Sequence, residues 1–287
     1  MVEAEVARRV DPSGFVEEAA IRPTGGSTVF EVAYLPAAGA RIGVVICCPV
    51  LVEQLTNYRY EVLLARSLAS RGVGVFRFHY RGTGHSGGED SELSLDTMVD
   101  DALRAAERAQ TRLGVDRLVL VGTRLGALVA GRVARHAPTA GLVFWAPVVD
   151  GARYLNELIR ARLARELKDS RFAGAGTSAW KEELETRGWI DILGYALHST
   201  LHRSVLHSRL DADVEGARIP ALLVQFGRGD SLRPDLSRLR NALTEGGGRV
   251  DVRSIREEPA WFFPSSPMKS APRLLKMTTE WVLTLAQ

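Results

Sequence analysis

Lysine is almost missing from this chain. Only Lys168, Lys181, Lys269 and Lys276 stand among its 37 basic residues, so arginine carries nearly all the positive charge. The formal net charge is +3, and the arginines alternate with acids, as in RARLARELKDSR. That pattern reads as a solvated helix face, so no nucleic-acid partner is expected. The Arg/Ala/Gly/Val bias fits a GC-rich bacterial genome and carries no functional meaning here. Cysteine is nearly absent too. Cys47 and Cys48 are adjacent within an apolar run, and neighbours on a strand point to opposite faces, so a disulfide between them is not expected. A reduced, cytoplasmic protein is the expectation. No apolar run approaches the ~18 residues of a membrane span, and the opening MVEAEVARRVDPSG lacks the apolar core of a secretory leader.

Long linkers, repeats and low-complexity tracts are also lacking. With 287 residues, 46% of them hydrophobic, the chain suits one large domain carrying an insertion. FVEEAAIRP and STVFEVAYLPA read as an N-terminal hairpin around Gly25 and Gly26. From there strands and helices alternate. RIGVVICCPV is a continuous apolar run, as expected of a strand buried on both faces. NYRYEVLLARSLASRG has helical spacing and ends at Gly72. VGVFRFHYRG, RLVLVG, AGLVFWAP, IPALLVQFG and RVDVRSI read as further strands. LSLDTMVDDALRAAERAQTRLG, LGALVAGRVARHA, RPDLSRLRNALTEGGG and APRLLKMTTEWVLTLA read as helices. The alternation predicts an α/β fold with a mostly parallel central sheet and helices on both faces. Residues 151–217 interrupt it with YLNELIRARLARELK, WKEELETRGW and ILGYALHSTLHRSVLH, all read as helical. The predicted organisation is therefore a core of residues 1–150 and 218–287 with a helical cap, 151–217, over the sheet's carboxyl edge, where such folds bind ligands.

One stretch joins an apolar strand to a helix through a tight turn: RLVLVGTRLGALVAG, Arg117 to Gly131. This is the outline of the nucleophile elbow, Gly-x-Ser-x-Gly. Gly122 and Gly126 are in place, and Arg124 stands where the serine would be. With GVVICCPV and its following loop, FRFHYRGTGHSGG, and LLVQFGRGD, the elbow completes a series that resembles the α/β-hydrolase superfamily. CPVLVEQLTNYRY, WAPVVDGARYLNEL, ILGYALH and the late EEPAWF further resemble the hydrolase-like proteins of bacterial exosortase systems, which are similar to serine aminopeptidase-like hydrolases. Several of that group carry arginine in the elbow.

The resemblance implies a triad, and two of its members are missing. Arg124 replaces the nucleophile. Asp230, in GRGDS, occupies the acid position. The loop that should hold the base, near 256–263, reads REEPAWFF, and no histidine follows His207. A Ser-His-Asp acyl-enzyme mechanism is therefore not expected, since base and nucleophile act as a unit. Thr123 precedes the elbow tip and should point away. Cys48 reads as a core thiol, inert when buried. His198 and His202 are four apart on one cap helix, but no third ligand is in register, so no metal or cofactor is expected.

Arg124 stays charged and offers a planar fork of donors at a helix start that already favours anions. Its partner is either internal or external. The internal candidates are Glu53, in the loop VLVEQ, with Asp230 or Asp150 as further options. The external candidate is a ligand carboxylate, phosphate or enolate. The internal pair is favoured, because acids near the strand ends are plentiful. Two functions follow. In the first, a non-serine enzyme uses Arg124 to stabilise negative charge, with Glu53, Asp230 or Glu258 as acid or base. It would act on a small acyl-type molecule in a biosynthetic pathway. The reaction would be ester, thioester or amide hydrolysis by activated water, acyl transfer, or a lyase or cyclisation step. In the second, a pseudo-hydrolase binds an anionic or lipid-like ligand, or a pathway partner, without turnover. Val50, Leu51, Leu125, Asp150, Tyr195, Trp261 and His85 are the expected pocket residues. Monomer and homodimer both remain open.

Overall fold

A computed structural model describes residues 6–24, 26–166, 179–227, 231–256 and 271–287. The apolar runs become the centre of one sheet. β4 (Gly43–Cys47), β5 (Gly74–Phe78), β6 (Leu118–Thr123) and β7 (Thr139–Trp145) are buried almost throughout, as expected of strands covered on both faces. With β10 (Ala221–Phe226) and β11 (Val250–Ile255) they form the parallel part, in the order β5-β4-β6-β7-β10-β11. The N-terminal hairpin is β2 (Phe15–Thr24) and β3 (Ser27–Pro36), and β3 joins β5 antiparallel. β1 (Val6–Asp11) adds an edge strand that the sequence reading did not assign. Its residues are almost all exposed, so no core-facing alternation marks it.

Successive strand residues feed opposite faces of the sheet. Val45 and Cys47 pack with α2 (Leu95–Leu113) and α3 (Gly126–Val133). Val44 and Ile46 pack with α1 (Val52–Ala69) and α9 (Pro272–Thr284). Each fully buried large aliphatic on these faces stabilises the fold by about 1.5–3 kcal/mol. α2 shows why its boundaries are sharp. Ser94 and Thr97 close a capping box at its start, and Gly114, at φ 67°, ends it in the left-handed region. α8 (Pro234–Glu245) follows β10 and packs on β10 and β11.

Residues 151–217 lie between β7 and β10, but they are not all helical. α4 (Gly151–Glu166), α5 (Ala179–Arg187), α6 (Ser199–Leu206) and α7 (Leu210–Asp213) are helices. The segment read as helix through ILGYALH is a hairpin, β8 (Trp189–Ile192) and β9 (Tyr195–His198). Its turn residues Leu193 and Gly194 both have positive φ, 56° and 95°, and the Asp191 carboxylate accepts from Gly194 N–H. Ile190 and Ile192 are buried while Asp191 is exposed, so the period is two rather than 3.6. A second correction matters more. α1 begins at Val52, five residues before the predicted start, because Leu51 (φ 57°) turns the chain sharply into the helix. Glu53 therefore sits on the first turn of α1 and not in a loop.

Candidate functional site

The elbow keeps its strained geometry without its nucleophile. Arg124 has φ 52°, a conformation that L residues hold only when the surroundings enforce it. The flanking glycines show the enforcement. A Cβ on Gly122 would lie 2.5 Å from Ala127 Cα, and one on Gly126 would lie 2.1 Å from the Cys47 carbonyl oxygen. The α3 start is thus pressed against the ends of β4 and β6, and only glycine fits. Arg124 N–H donates to the Trp145 carbonyl, and the Arg124 carbonyl accepts from Val148 N–H, which fixes the turn between β6 and β7.

The side chain is equally fixed. Arg124 Nε donates to Glu53 Oε1 at 2.7 Å, and the two side chains are only 4% and 0% exposed. Tyr154, from α4, donates its hydroxyl to Glu53 Oε2 at 2.9 Å and lies under the guanidinium, 5.5 Å from Cζ to ring centroid. Arg124 Nη1 reaches the Ala146 carbonyl at 3.4 Å, and Nη2 pairs with Glu157 Oε2 at 2.9 Å. Burial pushes the Glu53 carboxyl up, while the Arg124 charge and the hydrogen bonds from Arg124 and Tyr154 pull it down. Burial also opposes the Arg124 charge, but Glu53 and Glu157 outweigh it and hold the guanidinium above its usual range. The physical result is a closed ion pair. Tyr154 is itself pushed well above its ordinary range by burial, so it stays a donor.

Glu157 is the exception to this burial, with its side chain 44% exposed. It opens onto a recess of about 200 Å³ beside Arg124. Arg153, Arg160 and Arg233 line that recess, against Asp150, Glu157 and Asp235. Arg233 Nε holds Asp235 at 3.2 Å, and Arg153 Nη1 lies 3.6 Å from the same carboxylate. Asp150 also accepts from Arg153 N–H at the start of α4.

The sequence-predicted residues thus divide. Arg124 and Glu53 come together, and Asp150 lines the recess with them. Val50, Leu51 and Leu125 are buried in one apolar cluster. Tyr195, on β9, packs half-buried against that cluster and is not in the recess lining. His85 lies in the turn after β5, its ring 5.1 Å from Phe30 and 5.3 Å from His79. Asp230, Glu258 and Trp261 lie outside the described residues. His198 and His202 take different partners: His198 Nε2 is 3.0 Å from Asp90, while His202 lies beside Trp180. Among the described residues no cluster of three or more His, Cys, Asp or Glu could hold a metal. No described helix is long and apolar enough to cross a membrane.

Tyr154 and Glu157 were missed from the sequence. The available signal was their spacing: three apart in GARYLNEL, they share a helix face directly after Asp150.

Solved structures with this architecture include Est1E from Butyrivibrio proteoclasticus with ferulic acid bound. It has a TM-score of 0.65 at 16% identity, covering 92% of this chain and 98% of that one. A proline iminopeptidase-related protein from Thermus thermophilus gives 0.60 at 20% identity, covering 94% and 98%. At these identities the likeness is one of fold. The esterase EstD of Thermotoga maritima is 31% identical over 101 residues, 35% of this chain, and the match spans only 24% of that esterase's length. The model of the serine aminopeptidase S33 family matches residues 39–185, just over half of the chain. The fold, the elbow and this match agree: the chain belongs to the serine aminopeptidase S33 family of α/β-hydrolases.

Proposed function

We propose that this chain is a pseudo-hydrolase that binds a small anionic molecule in the arginine-lined recess and does not run serine-type acyl transfer. The observation that carries the reading is the buried 2.7 Å pair of Arg124 and Glu53, completed by Tyr154. A guanidinium cannot attack a carbonyl, and this one is turned inward to a protein carboxylate. The segment 151–217 acts as a cap in this reading, because α4 supplies Tyr154 and Glu157 to the elbow. With Glu53 counted against Arg124, four arginines meet four carboxylates, so the recess is balanced overall. Arg153, Arg160 and Arg233 at its walls are the groups an incoming anion would meet, and its volume suits one carboxylate- or phosphate-sized group. Guanidinium forks recognise such groups in two-point fashion.

One observation favours the enzyme reading. Glu157 touches Arg124 and reaches solvent, so it is placed to accept a proton from a water or substrate in the recess. A small acyl-type substrate of a biosynthetic pathway would be its natural partner.

The test is a thermal-shift titration with inorganic phosphate and with acetate, beside ester and thioester turnover panels. The wild-type protein is expected to gain stability with anion and to give no turnover above buffer. The Arg160→Ala/Arg233→Ala variant is expected to lose the shift. An unchanged shift in that variant would remove the recess as the site. Turnover abolished by Glu157→Gln would replace the binding reading with the enzyme one.

A further inference from the structure

α4 has two working faces. At about 100° per residue, Tyr154 and Glu157 lie on the side opposite Leu155, Asn156 and Ile159. The first pair faces the elbow. The other three line a separate, half-open cavity of about 650 Å³ shared with α5 and α6. That volume is ordinary for a small-molecule site and three times the recess beside Arg124.

The lining of this cavity combines apolar, aromatic and charged groups. Leu155, Ile159, Leu184 and Leu206 form an apolar side. One turn along α5 from Leu184 and along α6 from Leu206, the Trp180 and His202 rings lie 6.1 Å apart at 52°. Burial, with the neighbouring Arg203 charge, holds the His202 imidazole below its usual range, so the ring is neutral at pH 7 and can both donate and accept. Lys181 and Arg203 bring positive charge to the lining, against the single carboxylate of Glu185. The Lys181 ammonium lies 5.7 Å from the Trp180 ring centroid, which anchors that charge beside the aromatic wall.

We propose that the cavity between α4, α5 and α6 is a second binding site, taking a monocarboxylic acid with an apolar body. The body fills the leucine and tryptophan wall, and the carboxylate meets Arg203 and Lys181. The site is independent of the recess, because the two lie on opposite faces of α4.

Calorimetric titration of the whole chain with octanoate and with 1-naphthoate, in acetate buffer that occupies the recess, tests this. Binding of at least one probe is expected. Arg203→Ala, at an exposed position, should weaken it about tenfold, the loss of one charge-assisted contact. Leu206→Trp should abolish it by filling the space, with a melting curve confirming that each variant is folded. Arg160→Ala, which alters the recess, should leave it unchanged. No binding of either probe overturns the proposal. So does binding indifferent to both Arg203→Ala and Leu206→Trp. Loss of binding in Arg160→Ala would move the site to the recess, which leaves the recess reading standing and removes this one.

Discussion

One helix carries two buried glutamates, and each answers a buried arginine in a different way. Glu53 opens α1 and pairs with Arg124 of the elbow. Glu61, two turns on, pairs with Arg77 of β5 at 3.2 Å. Both carboxyls are pushed up by burial and pulled back by their arginines. The two pairs differ in their carboxylates. Both Glu53 oxygens are hydrogen-bonded, and Arg124 reaches Glu53, Glu157 and the Ala146 carbonyl. In the sealed pair, Glu61 Oε1 and Arg77 Nε have no hydrogen-bond partner among the described residues, although Arg77 also donates to Tyr34 and lies over the Tyr58 ring. The difference is instructive. The sealed pair ties helix to strand with geometry left imperfect, as structural ion pairs tolerate. The elbow pair has a second carboxylate, Glu157, at its solvent edge, so its arginine is the one that communicates with a recess.

Removing one partner is the strongest way to break this comparison. Glu61→Ala leaves Arg77 uncompensated in the core and should cost about 3–5 kcal/mol in urea unfolding. Glu53→Ala should cost less, about 2 kcal/mol, because Glu157 still holds Arg124 at 2.9 Å. Equal losses would mean that Glu157 does not share the elbow charge.

His79 sharpens the contrast, because the sealed arginine acts on it. It stands one residue past β5, its Nδ1 accepting from His85 N–H. Burial, then Arg77, then His85 push its pKa down to about 3. The ring is neutral in the folded chain and titrates near 6.5 when unfolded. Its contribution is therefore present above pH 6.5 and lost as pH falls towards 3. Linkage gives about 2 kcal/mol lost by pH 5, and His79→Gln should flatten that part of the stability profile. A chemical-shift titration placing the His79 pKa near 6 would refute the assignment. The triple variant Arg124→Met/Glu53→Met/Tyr154→Phe, which also removes the hydroxyl that Glu53 accepts from, should lie within about 1 kcal/mol of wild type, since a buried ion pair can be exchanged for packed apolar groups at little cost.

How much of this was legible in the sequence follows from locality. The parallel sheet was readable because Gly43–Cys47, Leu118–Thr123 and Ala221–Phe226 are apolar runs with one meaning. An internal partner for Arg124 was readable as the favoured option, since the elbow fixes where Arg124 must be and acids near the strand ends are plentiful; that the partner is Glu53 and not Asp150 is what the structure adds. Its details were not. The α1 start depends on the positive φ of Leu51, which no local propensity announces. The spacing of Tyr154 and Glu157 shows that they share a helix face, but that this face meets the elbow depends on α4 folding back over it, a long-range event. The β8–β9 hairpin was within reach: the Leu193–Gly194 turn and the Ile190/Ile192 alternation are local signals, overridden by reading the whole insertion as helix.

The two thiols offer the gentlest probe, because they sit between the pairs. The Cys47 carbonyl is where Gly126 of the elbow packs, and the Cys48 thiol lies 3.6 Å from the Phe78 carbonyl beside the sealed pair. Burial, then the Glu61 charge, pushes Cys47 up to about 12 and Cys48 well above its usual range. A thiol reagent at pH 8 should therefore label neither cysteine in the folded chain and both after unfolding. In Glu53→Ala the labelling rate should follow global unfolding, because opening the elbow frees Gly126 without exposing the strand end. Labelling that runs ahead of unfolding in Glu53→Ala but not in Glu61→Ala would show the reverse: that the elbow pair, and not the sealed one, keeps the end of β4 closed.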